Sequence, residues 1–297
     1  MNRKLILLLP IIAGIFWGGG GVFVRILASY GMDSVSIFAT RVVLGCLIFF
    51  IGILLFNRDL FKIKLKDLWI FFGSGIIGVL FLNLCYNEAA FRLTLSLSSV
   101  LLSLAPIFAL FISAIIFKER ITFKKILCLL MAIFGCMLVT GVFESTNLWS
   151  LTGIIFGLLS ALFWALYGIF SKFATEKGYS TYTTIFYSFL FISIVLIPLT
   201  DWNSFANFLV SNPVYTVPFA LIHSLTTSVC PYLLFTIALR TIDAGKATIL
   251  CGGAEPMSAT VFGLLIFSET PTVLNLIGIV ITIIALSILV AANETED

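Results

Sequence analysis

Ten long apolar segments, separated by short polar breaks, restrict this chain to a lipid bilayer. Each approaches the roughly 20 residues that a helix needs to cross the hydrocarbon core. Runs this long and uniformly apolar predict an all-α membrane protein rather than a barrel, because helices satisfy every backbone group internally. Only 10% of the residues are charged, too few for the surface of a soluble domain. The predicted spans are 5–28, 35–56, 68–91, 94–117, 123–142, 151–172, 182–200, 214–239, 246–267 and 272–292.

Lysine and arginine residues concentrate in alternate connections between these spans. One set of connections carries 14 of them, whereas the other set carries only Arg92, and Arg25 and Arg41 lie inside spans near that second side. The positive-inside rule therefore predicts a multi-pass protein of the cytoplasmic (inner) membrane with both termini cytoplasmic. The first apolar run continues to Ala28 without a cleavage site, which favours an uncleaved helix over a signal peptide.

The two halves of the chain share sequence elements at a nearly constant spacing. A shift of 147 to 150 residues relates Phe16-Trp17 to Phe163-Trp164, Gly21 to Gly168, Pro106 to Pro256 and Glu119 to Glu269. A period near half the chain indicates duplication, with repeats predicted at 1–147 and 148–297. Each repeat holds five spans, an odd number, so the second must be inverted relative to the first. Inverted repeats are typical of secondary transporters, which bind substrate near the midplane.

These features together resemble the drug/metabolite transporter superfamily, EamA type. The resemblance rests on the ten spans, the Phe-Trp-x-x-x-Gly element of each repeat, and the mid-span proline followed 13 residues later by glutamate. It covers essentially the whole chain. It implies a carrier of amino acids, sugars, nucleotide-linked compounds or other small metabolites, often an exporter. We expect export of a small polar metabolite, an amino acid or related compound, by alternating access.

Glu255 is the strongest candidate for a transport function, because ionisable groups within a membrane are costly. It falls near the middle of the ninth predicted span, between Gly252-Gly253 and Pro256. The proline leaves the carbonyl near Gly252 without its helical donor. The first repeat has Ala105 at the equivalent position, so the carboxylate belongs to one copy only. Glu255 is predicted to carry a proton or bind a cationic substrate; alternatively, it is a neutral acid that bonds the freed carbonyl.

Arg41 lies about two turns into the second predicted span. Its guanidinium could bind a substrate carboxylate or phosphate. It could equally reach the lipid headgroups or pair with Glu88. Glu88 and Arg92 have the spacing of an ordinary ion pair on one helix, which is the favoured interpretation of Glu88.

Other polar and aromatic side chains are candidates for the wall of a central cavity. Asn83, Tyr86 and Asn87 share one helical face, which fits either a cavity or helix–helix bonding. His223 is predicted either to relay protons or to pack as a neutral ring. Four aromatic residues fit either a cavity wall or helix packing: Trp17, Trp164, Tyr167 and Tyr232. The run Gly18 to Gly21 predicts close packing or local unwinding.

Several other functions lack the residues that they need. The sequence has no hydrolase or Walker motif and no aspartate pair within a span, so neither an enzyme nor direct ATP drive is predicted. The six cysteines lie inside apolar segments, which predicts packing, with no metal and no cofactor. A carrier of a lipid-linked or sugar-type intermediate stays open as an alternative, and a non-transporting sensor or scaffold is less favoured. The expected partners are a small-molecule substrate, the bilayer and coupling protons, with no nucleic acid, for a monomer or homodimer.

Overall fold

The protein is a bundle of ten spanning helices, as the sequence predicts. The structure is a computed structural model that describes residues 3–93, 95–118, 121–139, 142, 150–268 and 271–291. Within these described residues, seven helices are individually long and apolar enough to cross a membrane, and 100–116 and 273–288 are shorter apolar stretches. We number the spans 1 to 10: Arg3–Gly18 with Gly20–Ser29, Ser34–Phe56, 68–92, Leu95–Leu102 with Ala105–Ile116, Phe123–Val139, Leu151–Glu176, Thr181–Leu196, Pro213–Ala238, Ala244–Phe267 and Val273–Ala291.

Two pairs of unusual backbone conformations recur at the repeat spacing. Gly31 and Gly178 have φ angles of 84° and 82°, where only glycine is free of strain. Lys118 and Ser268, which follow spans 4 and 9, both have a φ of 56°. Equivalent turns thus repeat the same local geometry. Glu119 and Glu269, the glutamates of the repeated proline–glutamate element, lie outside the described residues.

Departures from regular α-helix occur in both repeats at some spans and in only one repeat at others. Spans 3 and 8 both contain a π-helical segment, Gly73–Leu80 and Leu225–Val229, a feature common at functional sites. The two mid-span prolines behave differently, however. Span 4 is interrupted after Leu102 and resumes at Ala105, so that Pro106 stands at a helix start, whereas span 9 continues through Pro256. The expectation of a mid-helix proline in both copies is therefore wrong for Pro106.

Close glycine contacts set the distance between spans 1 and 9. A Cβ atom at Gly14 would lie 2.4 Å from the carbonyl oxygen of Cys251, and one at Gly18 would lie 2.3 Å from that of Glu255. The helix breaks immediately afterwards, at Gly19. The glycine run therefore provides both predicted properties, since Gly18 is a packing contact and Gly19 a break.

Two connecting segments dock across the boundary between the halves. On the side that holds residues 3 and 291, here called the terminal side, the segment 58–67 bonds the hairpin of spans 6 and 7: Tyr179 donates to Asp67 (2.7 Å) and Thr183 to the carbonyl of Leu60 (2.7 Å). On the opposite, distal side, the connection 201–213 between the seventh and eighth predicted spans contains a helix, Trp202–Ser211.

This distal helix packs on the hairpin of spans 1 and 2. Its Phe208 joins a small core with Leu27 and Met32, and the backbone N–H of Asp201 donates to Ser36 Oγ at 2.9 Å. Hydrogen bonds from Ser204 hold the pKa of the Asp201 carboxyl, which caps this helix, below its usual value. We call the segment 58–67 the terminal strut and the helix Trp202–Ser211 the distal strut.

Candidate functional site

An aromatic cluster fills the centre of the bundle where the two repeats meet. Trp17 lies edge-on to Trp164 and to Tyr232, with ring centroids 4.9 and 5.0 Å apart. Trp164 stacks on Tyr167 at 5.5 Å, and the Tyr167 hydroxyl bonds the Thr236 hydroxyl at 2.8 Å. The predicted tryptophans thus contact each other across the boundary between the halves. Trp164, Tyr167 and Tyr232 are buried, and Trp17 is partly buried. The four predicted aromatics therefore pack together in the interior of the bundle.

Arg41 reaches into this centre and donates to the backbone of the opposite repeat. Its Nη1 lies 2.8 Å from the carbonyl oxygen of Thr227, and its Nη2 lies 3.4 Å from Asn83 Oδ1. Trp17 Nε1 donates to the same Thr227 oxygen at 3.1 Å. Of the alternatives for Arg41, pairing with Glu88 does not occur, because Glu88 binds Arg92 at 2.9 Å.

The Thr227 carbonyl is free for these donors because of a proline. In a regular helix it would accept from the N–H four residues on, but residue 231 is a proline and has no N–H. Thr227 also lies in the π-helical segment of span 8, where regular helical bonding is displaced. Sequence reasoning applied this argument to Pro256 and overlooked the same signal at Pro231, so it missed Thr227 as a residue of the site.

Glu255 lies against the start of the glycine run, where its backbone oxygen faces Gly18. Among the described residues, no hydrogen bond or ion pair involves the side chain, which is partly accessible in the middle of span 9. The carbonyl that Pro256 frees at Gly252 accepts from Cys136 Sγ (3.7 Å). In the described structure this carbonyl thus accepts from Cys136 and not from the Glu255 side chain. The alternative of a neutral acid that bonds the carbonyl is therefore not observed.

Tyr232 lies near both Arg41 and Glu255. It lies within electrostatic range of both Arg41 and Glu255, and it contacts the Trp17 ring. Arg41 and Glu255 do not pair with each other in the described structure, although both border the aromatic cluster. An acidic and a basic side chain thus lie near the same tyrosine without forming an ion pair among the described residues.

The remaining predicted residues lie at different depths on the distal half. Asn83 also donates to the carbonyl of Val79 at 2.8 Å, while Tyr86 and Asn87 lie partly buried along the same helix. His223 is only 2% exposed and stacks on Phe23 with ring centroids 5.1 Å apart. The structure thus brings Asn83 into contact with Arg41. It packs His223 of span 8 against Phe23 of span 1.

Equivalent positions in spans 1 and 6 and in spans 3 and 8 differ in exposure. Val24 is 43% exposed and its counterpart Ser171 is fully buried; Leu84 is 41% exposed and its counterpart Tyr232 only 3%. Equivalent positions face the same way relative to the symmetry axis, so the difference reports how closely the halves approach. The exposed members lie on the distal half. The repeats therefore pack less closely toward the distal side, here called the open side, than toward the terminal side, here called the closed side.

A charged contact lies on the closed side. Lys125, at the start of span 5, forms an ion pair with Asp243, which precedes span 9. Nearby, Lys172 of the second repeat lies 4.8 Å from the centre of the Phe117 ring of the first. Both contacts join the two repeats on the terminal side.

Comparisons with known proteins agree with this architecture. The EamA-like transporter family model matches twice, over residues 4–141 and 151–291. An uncharacterized transporter of Archaeoglobus fulgidus is 27% identical over 270 residues, 90% of each chain. The riboflavin transporter ImpX of Fusobacterium nucleatum is 26% identical over 77% of this chain and 78% of its own.

Other matches are shorter or more distant. The pseudopaline exporter CntI of Pseudomonas aeruginosa is 30% identical over 131 residues, so the match spans less than half of either chain, 44%. A solved crystal structure superposes over 100% of both chains with a TM-score of 0.76 at 14% identity, which shows the shared fold. The two family matches together cover most of the sequence. The chain belongs to the EamA-like transporter family.

Proposed function

We propose that this membrane transporter exports a small polar metabolite, an amino acid or related compound, across the cytoplasmic membrane by alternating access. The observation that carries the proposal is the unequal exposure of equivalent positions in two inverted repeats. If the repeats exchange conformations, the open side becomes closed and the closed side opens. The lysine and arginine distribution supports a cytoplasmic terminal side. The exporter among the relatives supports the direction.

The chemistry of the centre supports a small charged substrate. Glu255 offers a carboxyl group that has no hydrogen-bond or ion-pair partner among the described residues, and Arg41 offers a guanidinium that lies near the same Tyr232. Aromatic faces accommodate an apolar side chain or a cation. The riboflavin transporter and the pseudopaline exporter indicate that substrates vary among relatives, so the residues of this centre, rather than the family, support the class proposed here.

Glu255 is proposed to carry the coupling proton. In Glu255→Gln we expect substrate flux to lose its dependence on a pH gradient and to fall to the level of empty liposomes, because an amide cannot exchange a proton. The measurement is uptake into proteoliposomes from a panel of amino acids and related metabolites, with and without a pH gradient.

Glu88→Gln is the matched control, since Glu88 is exposed on the distal side and pairs with Arg92. It should transport like the natural protein. Unchanged flux and unchanged pH dependence in Glu255→Gln would remove Glu255 from this role. No flux of any panel member in the natural protein would count against the transport proposal itself.

A further inference from the structure

Arg41 carries a charge that the described structure does not compensate. Its hydrogen-bond acceptors are a backbone carbonyl and an amide oxygen, both neutral, and it lies 5.1 Å from the centre of the Phe38 ring. No carboxylate of the described residues lies within ion-pair distance of it. Charged groups within a membrane protein are normally paired. A group that enters from the open distal side can supply the missing negative charge.

The present acceptor of Arg41 can be exchanged at small cost. The Thr227 oxygen has two donors, Arg41 Nη1 and Trp17 Nε1. If Arg41 turned to another acceptor, the carbonyl would keep its bond to Trp17. It would therefore not become a buried group without a partner, which is the expensive case.

A carboxylate is the acceptor that a guanidinium prefers. Its two oxygens match the planar fork of the side chain, and charge-assisted bonds are about twice as strong as bonds between neutral groups. The second present contact, to Asn83, is long at 3.4 Å and offers little competition. The exchange is thus favourable for a ligand that brings a carboxylate to Arg41.

We propose that Arg41 determines specificity by binding a carboxylate of the substrate, which replaces the Thr227 carbonyl as its acceptor. This inference rests on the proposed transport function and narrows its substrate to carboxylate-bearing molecules. Arg41 belongs to the first repeat and Thr227 to the second, so the exchange also removes one bond between the repeats. Substrate binding thereby loosens the contact that must change when the open side closes.

Binding to the purified full-length protein tests the proposal with matched probes. Each set contains a zwitterion, the acid without its amine and the amine without its acid: L-phenylalanine, 3-phenylpropionate and phenethylamine; L-leucine, 4-methylpentanoate and isoamylamine; L-alanine, propionate and ethylamine. We expect acid-bearing probes to raise the melting temperature in a saturable way and the amines not to. Amine binding that is insensitive to Arg41, or no binding of any acid, would overturn the proposal.

Variants separate the role of Arg41 from a general effect on folding. Arg41→Gln should abolish acid binding, and Arg41→Lys should weaken it about tenfold or more, since lysine lacks the planar fork. Arg92→Gln is the matched control, a distal arginine paired with Glu88, and should bind like the natural protein. If Arg41→Gln does not fold, the result with Arg41→Lys decides, and natural affinity in that variant contradicts the proposal.

Trp17→Phe tests the exchange of acceptors at the Thr227 carbonyl directly. Without the Trp17 donor, exchange leaves the Thr227 carbonyl unpaired, so acid affinity should fall on the order of tenfold while amine probes still do not bind. Unchanged acid affinity would refute the proposal that Trp17 keeps the Thr227 carbonyl bonded when Arg41 turns to the substrate. Flux assays on the same preparations distinguish the two proposals: Arg41-insensitive flux refutes this inference alone, whereas binding without flux refutes the transport function alone.

Discussion

Replacing Gly18 with valine is expected to prevent spans 1 and 9 from packing and to leave little folded protein. A Cβ atom there would lie 2.0 Å from Ser258 Oγ and 2.3 Å from the carbonyl oxygen of Glu255. The serine can rotate, but the carbonyl belongs to a continuous helix and cannot. Overpacking costs about 1–3 kcal/mol and occasionally more, and a clash with backbone places this change at roughly 3 kcal/mol or above. Thermal unfolding in detergent, followed by size exclusion, measures it.

Gly21→Ala is the matched control, three residues further along the same span. A Cβ atom at Gly21 meets no heavy atom within 4 Å. Because alanine favours a helix over glycine by about 1 kcal/mol, its melting temperature should stay the same or rise. Equal loss of folded protein in the two variants would show that the glycine run accepts no side chain at either position, which contradicts a specific contact at Gly18.

Reversing the charge of Lys125 is expected to open the terminal side and to lower transport. Lys125→Glu would place two carboxylates together where Lys125 and Asp243 now form an ion pair. Their side chains are 10% and 38% exposed, so the pair is neither fully buried nor free in solvent. Breaking a buried pair costs about 3–5 kcal/mol, and the exposure of Asp243 reduces the expected loss to roughly 2 kcal/mol.

The double variant Lys125→Glu/Asp243→Lys restores opposite charges and should recover most of the melting temperature and flux. A failure to recover would mean that the ion pair itself does not hold the repeats together. Lys62→Glu is the control on the same side, because Lys62 pairs with Asp59 within one connection and both are well exposed. It should leave the melting temperature and flux unchanged, since exposed pairs contribute little.

Hydropathy and internal repetition were sufficient to predict the architecture. The ten spans lie within a few residues of their predicted positions, because an apolar run of that length has no other stable arrangement in lipid. The turns at Gly31 and Gly178 repeat at the predicted shift of 147 residues. The boundary between the repeats at residue 147 stays a prediction, as do the cytoplasmic position of the termini and the role of each site residue.

Departures from regular helix geometry could not be predicted in the same way. Pro106 starts a new helix and Pro256 lies inside one, although the surrounding patterns look alike, because packing against other spans decides between a kink and a break. The distal strut is a short helix of mixed polarity, whose stability depends on its contact with Leu27 and Met32. Such contacts join residues far apart in sequence.

The sequence predicted candidate residues of the site. It did not predict the hydrogen bonds between them. Arg41 and Glu255 were recognisable because charges are rare within spans. That Arg41 donates to a backbone oxygen depends on the π-helical segment of span 8, which no hydrophobic pattern signals. Pro231 was the available clue, since every proline within a helix frees the carbonyl four residues before it.

The two struts determine the order in which the newly made chain can finish folding. Lys64 of the terminal strut bonds Tyr179, which the ribosome adds 115 residues later, and Ser36 waits 165 residues for Asp201. Each half thus makes some of the hydrogen bonds of its connections only with residues of the other half. Insertion of the first five spans therefore leaves an intermediate whose connections lack their contacts with the second half until that half is made. A chain cut between the repeats should consequently mature only when both pieces are made together.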